Sequence, residues 1–289
     1  MDVAARIEKA LETALDAAGG EGAPPRLAAA MRYAVFPGGA RIRPRLALSV
    51  ARACGDGDPA AADAAAAAIE LLHCASLVHD DLPCFDDADF RRSKPTVHVA
   101  YGEPLAVLCG DALIVLAFET VARGATANPA RLAPLVLTVA GAVGMPGGIA
   151  AGQAWECEPM VDLAEYHRAK TGVLFAAAAM AGAAAAGHEP APWRIFGARL
   201  GEAFQVADDI RDAACTAAEI GKPVGQDATL GRRSAVLDLG MAGALDRLDR
   251  LIEEALAAVP ACPGAAELKA IVRKQARGFL PKELAREAA

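Results

Sequence analysis

The sequence predicts an all-α protein, one large bundle of roughly ten or more helices. Three observations carry this prediction. The chain is 54% hydrophobic but only 4% aromatic, with short β-branched runs, a balance that favours helices over sheets. Apolar residues recur at helical spacing, and no strand alternation of useful length interrupts them. No Gly/Pro-rich stretch is long enough to divide the 289 residues, so residues 1–289 read as a single domain.

The elements follow in order. Val3, Ile7, Leu11 and Leu15 form one apolar stripe on a first helix, which Gly19-Gly20 ends. Pro24-Pro25 opens a second helix, broken by the turn Phe36-Pro37-Gly38-Gly39. A third helix spans 41–54 and closes at the glycine-rich run before Pro59. A long fourth helix spans 60–82, where Pro83 stops it. Further helices fit 103–123, 128–143, 162–187, 192–213, 229–259 with a break near Gly240, and 265–276.

Charge and cysteine usage exclude several function classes. A net charge of −7 argues against nucleic acid or an anionic membrane surface as the main partner. The seven cysteines are odd in number and show no C-x-x-C spacing, so reduced thiols are expected rather than a disulfide framework or a zinc site. No continuous apolar run follows Met1, so no signal peptide is read. The stretches 132–155 and 171–187 carry no charged side chain; the first holds Pro134, Pro146 and several glycines, and the second is mostly alanine and glycine. They read as helices buried on all sides rather than membrane spans.

The chemistry lies in two acidic clusters far apart in the chain. Asp80, Asp81, Asp86 and Asp87 form a DDxxxxD arrangement at a helix end, and Asp208, Asp209 and Asp212 form DDxxD. Asp208 and Asp212, four apart, share one helix face. Carboxylates this close repel one another unless a cation neutralises them. Hard oxygen ligands favour Mg²⁺, which usually completes its shell with phosphate oxygens. An acidic chain that binds an acidic ligand must supply local cations, and four basic elements do so: Arg41-Ile42-Arg43, Arg91-Arg92-Ser93-Lys94, Lys170-Thr171-Gly172 and Gly221-Lys222-Pro223. Four sets point to two diphosphates, hence two substrates held together.

These motifs carry a resemblance. GGARIRP at 38–44, HCASLVHDDLPCFDDADFRRSKPTVH at 73–98, GQAWE at 152–156, KTG at 170–172 and FQVADDIRDA…GKPVGQD at 204–227 resemble the trans-isoprenyl diphosphate synthases. Within that family the pattern is most similar to the geranylgeranyl diphosphate synthases of carotenoid- and bacteriochlorophyll-making phototrophic bacteria. The resemblance implies a helical bundle around a central apolar cavity, a cytoplasmic homodimer and roughly three Mg²⁺ ions per active site. It implies metal positions at Asp80, Asp86, Asp208 and Asp212, with Asp81 and Asp209 completing the clusters. It places Arg91, Lys170, Thr171, Gln205 and Lys222 around an allylic diphosphate, and Arg43, His73 and Arg92 around isopentenyl diphosphate. The expected reaction is head-to-tail condensation of isopentenyl diphosphate with dimethylallyl, geranyl or farnesyl diphosphate. Asp80, Asp81, Asp86, Arg91, Lys170, Asp208, Asp209 and Lys222 are its expected catalytic set.

One position departs from the family pattern. Ala40 stands where the first basic motif normally carries a lysine for isopentenyl diphosphate, and Arg41 or Arg43 is expected to take part of its load. His79 reads either as a partner that orients the adjacent Asp80 or as a satisfied core histidine, the second reading being preferred, and Cys84 reads as packing. Ala75 and Ser76 precede Asp80 by five and four residues, about one helical turn, roughly 5–7 Å along the axis. Small residues there leave room for a growing chain, which favours a C20 product over the C15 of a farnesyl diphosphate synthase. Leu71, Leu72 and Phe118 are candidates for a deeper floor, a set that ordinary core packing explains equally well. A terpene cyclase fits less well, because the second motif is all carboxylate and aromatics are few. A non-catalytic regulatory subunit is the rival from another class, and two intact acidic clusters weigh against it.

Overall fold

The structure is a computed structural model and describes residues 2–36, 38–55, 57–155, 157–158, 172–214 and 234–277. Among these residues there are twelve α-helices. They are α1 (Val3–Ala18), α2 (Pro25–Val35), α3 (Ile42–Ala53), α4 (Pro59–Asp80), α5 (Val97–Tyr101) and α6 (Glu103–Gly124). The rest are α7 (Leu132–Val143), α8 (Ile149–Trp155), α9 (Val173–Ala186), α10 (Arg194–Ala214), α11 (Ala235–Ala257) and α12 (Ala265–Arg277). One small antiparallel hairpin pairs β1 (Phe90–Arg91) with β2 (Lys94–Pro95).

The core is organised by α4 and α9. Asp58 caps α4, its carboxylate accepting the Ala61 N–H at 3.1 Å, and Pro59 occupies the first turn, where no amide donor is missed. From there Ala64 to Leu72 are all buried. α9 is buried on every side from Leu174 to Phe175 and on through Ala185, apart from Met180, which explains its lack of charge. α4 packs against α6, and α9 packs against α3, α4, α7 and α10. Small side chains allow the close approach: a Cβ at Gly182 would lie 2.2 Å from the Ala47 carbonyl oxygen of α3. A second, smaller core joins α10 to α11 through Val206, Ile210, Leu248 and Leu251.

The predicted helices are present wherever the described residues cover them, including the break at Gly240, whose φ of 68° interrupts α11. Three short elements were not anticipated: α5, α8 and the hairpin. Each is too short to show a period, and each is held by its neighbours in space. The expected helix 60–82 ends at Asp80, because the chain beyond it coils back. The Asp86 N–H donates to the Asp80 carbonyl at 2.9 Å, and the Ala88 N–H to that of Asp81 at 3.2 Å. Two helices, α4 and α6, are long and apolar enough to cross a membrane by length and composition, and the most apolar stretches are 78% and 39% buried within the protein. α4 is thus a core helix, whereas α6 leaves Val107, Leu108 and Val115 exposed.

Candidate active site

The C-terminal end of α4 gathers most of the expected site. Asp80 is half-buried and accepts a hydrogen bond from the Gln153 amide of α8. Asp81 points the other way, is 3% exposed, and is gripped by Arg91 from the hairpin. The contacts are Nε to Oδ1 at 2.9 Å, Nε to Oδ2 at 2.8 Å and Nη2 to Oδ1 at 2.7 Å. Burial works against the Arg91 charge, but these bonds and the nearby Asp80 and Asp86 overturn it and raise the guanidinium above its ordinary pKa. Asp86 and Asp87 are exposed on the loop that follows. Cys84, expected as packing, is exposed there too, because the tight turn after Pro83 lifts it off the core.

Beside the acidic end lies a cationic cluster. Arg43 Nη1 sits 3.3 Å from His73 Nε2, and its guanidinium carbon lies 4.8 Å from the centre of the Phe175 ring. Burial lowers the Arg43 pKa to about 10, Glu70 opposing and Arg92 adding to the drop. Burial, then the charges of Arg43, Arg92, Arg91 and Arg41, holds His73 well below the ordinary histidine range. His73 is therefore neutral at physiological pH. Arg43 Nε is buried without a hydrogen-bond partner among the described residues, an open donor that also feels the charge of Arg92. Arg92 is exposed and lies against Gly39, where a Cβ would come within 2.8 Å of its Nη2.

Arg41 does not share this role. It was expected to take up part of the missing lysine's load at Ala40, which is itself exposed. Instead Arg41 is 5% exposed and turned inward onto Glu8, Glu70 and the Val35 carbonyl. Arg43 alone of the pair faces the cluster.

Below Asp80 is a cavity of about 320 Å³. Its wall on α4 is formed by Leu72, Ala75, Ser76 and His79, and Ile114, Val143 and Ile149 close the other sides. Of the three floor candidates, Leu72 lines it, Leu71 lies inside the core and Phe118 packs against that core from its edge. His79 is a wall residue rather than a core histidine: its Nε2 lies 3.3 Å from the Val107 carbonyl oxygen. Gly110 makes its place, since a Cβ there would meet the imidazole at 2.0 Å.

The second cluster lies on α10. Arg211 Nη2 donates to Asp208 Oδ1 at 2.6 Å, and Asp212 stands one turn further on. Asp209 is 8% exposed and accepts from Gln205 Nε2 at 3.0 Å and from the Ala235 N–H of α11 at 2.8 Å. Asp81 and Asp209 thus share a pattern: each is the second aspartate of its pair, buried and bonded within the protein rather than facing out. α9 links the cationic cluster at Arg43 to α10. Its Phe175 lies under Arg43 and stacks on Phe204 of α10, ring centres 5.3 Å apart, and Arg211 covers Phe204 at 5.8 Å. Lys170, Thr171 and Lys222 lie outside the described residues.

The donor set fits Mg²⁺ held jointly with a diphosphate. No three His, Cys, Asp or Glu side chains among the described residues converge to hold an ion by themselves. Mg²⁺ seldom needs such a cage, because one or two carboxylates plus substrate phosphate oxygens suffice. Gln153 and Glu70 carried the clearest overlooked signals: a lone amide in a glycine-rich run, and a carboxylate set between Ile69 and Leu71.

The family model described as polyprenyl synthetase matches residues 24–272. The chain is 57% identical over 280 residues to the geranylgeranyl diphosphate synthase of Cereibacter sphaeroides, covering 97% of each. It is 53% identical to the enzyme of that name from Rhodobacter capsulatus, again over 97% of each. Its fold is similar to that of the geranyltransferase of Helicobacter pylori complexed with magnesium and isoprenyl diphosphate. The TM-score there is 0.76 at 29% identity, with 95% of this chain and 97% of the other covered.

Proposed function

This chain belongs to the polyprenyl synthetase family and is a trans-prenyltransferase, and we propose that it makes geranylgeranyl diphosphate, acting as one domain over residues 1–289. One observation carries the proposal. The exposed carboxylates, the Arg43–His73–Arg92 cluster and an apolar cavity all meet at one end of α4. Anionic heads are bound above and a growing hydrocarbon is housed below.

The residues then divide the work. Asp80 and Asp86 from one side, with Asp208 and Asp212 from α10, would hold the metal ions, roughly three per site, jointly with substrate phosphate oxygens. Magnesium, when bound, stabilises charge on the leaving diphosphate. Arg91, with Gln205 and the family-matched Lys170, Thr171 and Lys222, holds the allylic diphosphate for ionisation of its C–O bond. Arg43, neutral His73 and Arg92 hold isopentenyl diphosphate, whose double bond attacks the allylic carbocation, and a proton is then lost to the released diphosphate. Alanine-lined walls around Ala75 exclude water from the cation.

The exposed apolar residues Val107, Leu108 and Val115 of α6 support a homodimer, and the net charge of −7 disfavours a nucleic-acid partner. The test incubates purified protein with Mg²⁺, isopentenyl diphosphate and each allylic starter, followed by chromatography of the dephosphorylated products. A C20 alcohol is expected. A C15 alcohol as the end product from every starter overturns the chain length, and inertness under all conditions overturns the enzyme reading. Light scattering that shows a monomer at micromolar concentration overturns the dimer.

A further inference from the structure

Arg41 occupies a costly position for a residue with no contact to the proposed substrates. It begins α3 in the left-handed region, with φ 51°, which disfavours any side-chain-bearing residue. Its guanidinium is almost fully enclosed and each of its nitrogens is engaged. Nε donates to Glu8 Oε1 at 2.8 Å and Nη1 to Glu70 Oε1 at 2.7 Å. Nη2 donates to Glu8 Oε2 at 3.2 Å and to the Val35 carbonyl at 2.9 Å. Gly38 leaves the space, since a Cβ there would fall 2.0 Å from the guanidinium carbon. Burial opposes the charge, yet the bonds to Glu8 and the charge and bond of Glu70 raise its pKa above the ordinary value.

We propose that Arg41 is a positioning residue for the isopentenyl diphosphate site, acting through the brace Glu8–Arg41–Glu70. Glu70 and His73 lie three apart on α4 and so share one face. Arg41 meets Glu70, and two residues on, Arg43 meets His73. The two contacts are successive rungs between the start of α3 and the middle of α4. The first rung holds the left-handed turn at Arg41, which sets the direction in which Arg43 leaves the first turn of α3. Glu8 extends the brace to α1, so the N-terminal helix also aims Arg43. Lysine cannot replace Arg41, because one ammonium cannot serve two carboxylates and a carbonyl in this fixed fork. The absence of a cation at Ala40 raises the stakes, since Arg43 must be well placed without that help.

The inference rests on the reading of Arg43 as an isopentenyl diphosphate ligand, and the experiment separates the two. Steady-state kinetics are measured for Glu8→Gln, Arg41→Lys, Arg43→Lys and the Glu8→Gln/Arg43→Lys double variant. Glu8 is 40% exposed, so its neutral isostere keeps the fold even if Arg41→Lys does not. Glu8→Gln is expected to raise KM for isopentenyl diphosphate by about fivefold while leaving kcat and the allylic KM within about twofold. In the double variant the effect is expected to be non-additive, close to that of Arg43→Lys alone. An unchanged isopentenyl KM in Glu8→Gln, with only Tm lowered, shows a structural brace and overturns the proposal. Equal losses for both substrates, or full additivity, also overturn it. If Arg43→Lys itself leaves that KM unchanged, the ligand reading fails first and the brace inference falls with it.

Discussion

Arg91 closes on both carboxylate oxygens of Asp81, at 2.8–2.9 Å from Nε and 2.7 Å from Nη2, and so removes the second aspartate of the first pair from the open face of the site. Asp80, its neighbour in sequence, faces α8 instead. Adjacent residues on a helix end diverge by about 100°, so a DD pair cannot aim both carboxylates at one point.

That divergence separates stability from catalysis. Asp81→Ala leaves the half-buried Arg91 without its partner and, with water able to reach the guanidinium, is expected to cost about 2 kcal/mol of stability. Asp80→Ala is expected to change stability by under about 1 kcal/mol while lowering kcat by at least about 100-fold. Urea unfolding beside product assays measures both. Equal stability losses would show that the two aspartates are not divided in this way.

Chain length is read at Ala75. Its side chain lines the cavity below Asp80 and is 1% exposed, so a larger residue must enter the cavity. Ala75→Phe is expected to shift the main product to C15 or shorter. A product distribution identical to that of the parent would rule out this wall as the determinant.

Ala40 is exposed at the edge of the Arg43 cluster, and Arg41 is committed elsewhere. Ala40→Lys is therefore expected to lower KM for isopentenyl diphosphate, by up to about tenfold if one charge-assisted hydrogen bond forms. The two proteins having the same KM would remove the idea.

His73 makes stability depend on pH. Its folded pKa is depressed by burial and by the surrounding arginines, while its ordinary value is 6.5. Below pH 6.5 the unfolded chain takes up a proton that the folded protein resists, so stability is lost as pH falls. The slope from this residue approaches about 1.4 kcal/mol per pH unit below that point. His73→Gln is expected to flatten the Tm profile between about pH 5 and 6.5; a parallel profile would contradict it.

The hairpin that presents Arg91 is strained. Arg92 and Ser93, its two turn residues, have φ of 53° and 61°, the arrangement that favours glycine or asparagine. Ser93→Gly relieves roughly 1 kcal/mol of backbone strain and adds some flexibility to the unfolded chain, for a net gain of about 0.5 kcal/mol. Differential scanning calorimetry should show a slightly higher Tm, and a fall would mean that the Ser93 side chain contributes more than its strain costs.

Much of this protein was legible beforehand for local reasons. Helices α1, α4 and α6 announce themselves by periodic or continuous apolar residues, and the break at Gly240 by a residue that readily adopts positive φ. The acidic and basic motifs were legible because their residue types and spacing serve one kind of chemistry. The short helices α5 and α8 and the two-residue strands were not, since nothing in so few residues outweighs the entropy of ordering them. Cys84 and His79 were misjudged for a related reason: burial depends on what comes to lie opposite, not on the residue itself.

By itself, the order of residues determined the helical class, the carboxylate-and-arginine chemistry and the small wall residues beneath Asp80, because each follows from spacing along one helix. Tertiary structure alone decided which charges are available. Asp81 and Asp209 are tied down by Arg91, Gln205 and the start of α11, and Arg41 is enclosed by Glu8 and Glu70 while Arg43 remains beside His73. Those partners lie up to tens of residues away, and a charged group's role depends on whether another charge reaches it before the substrate does.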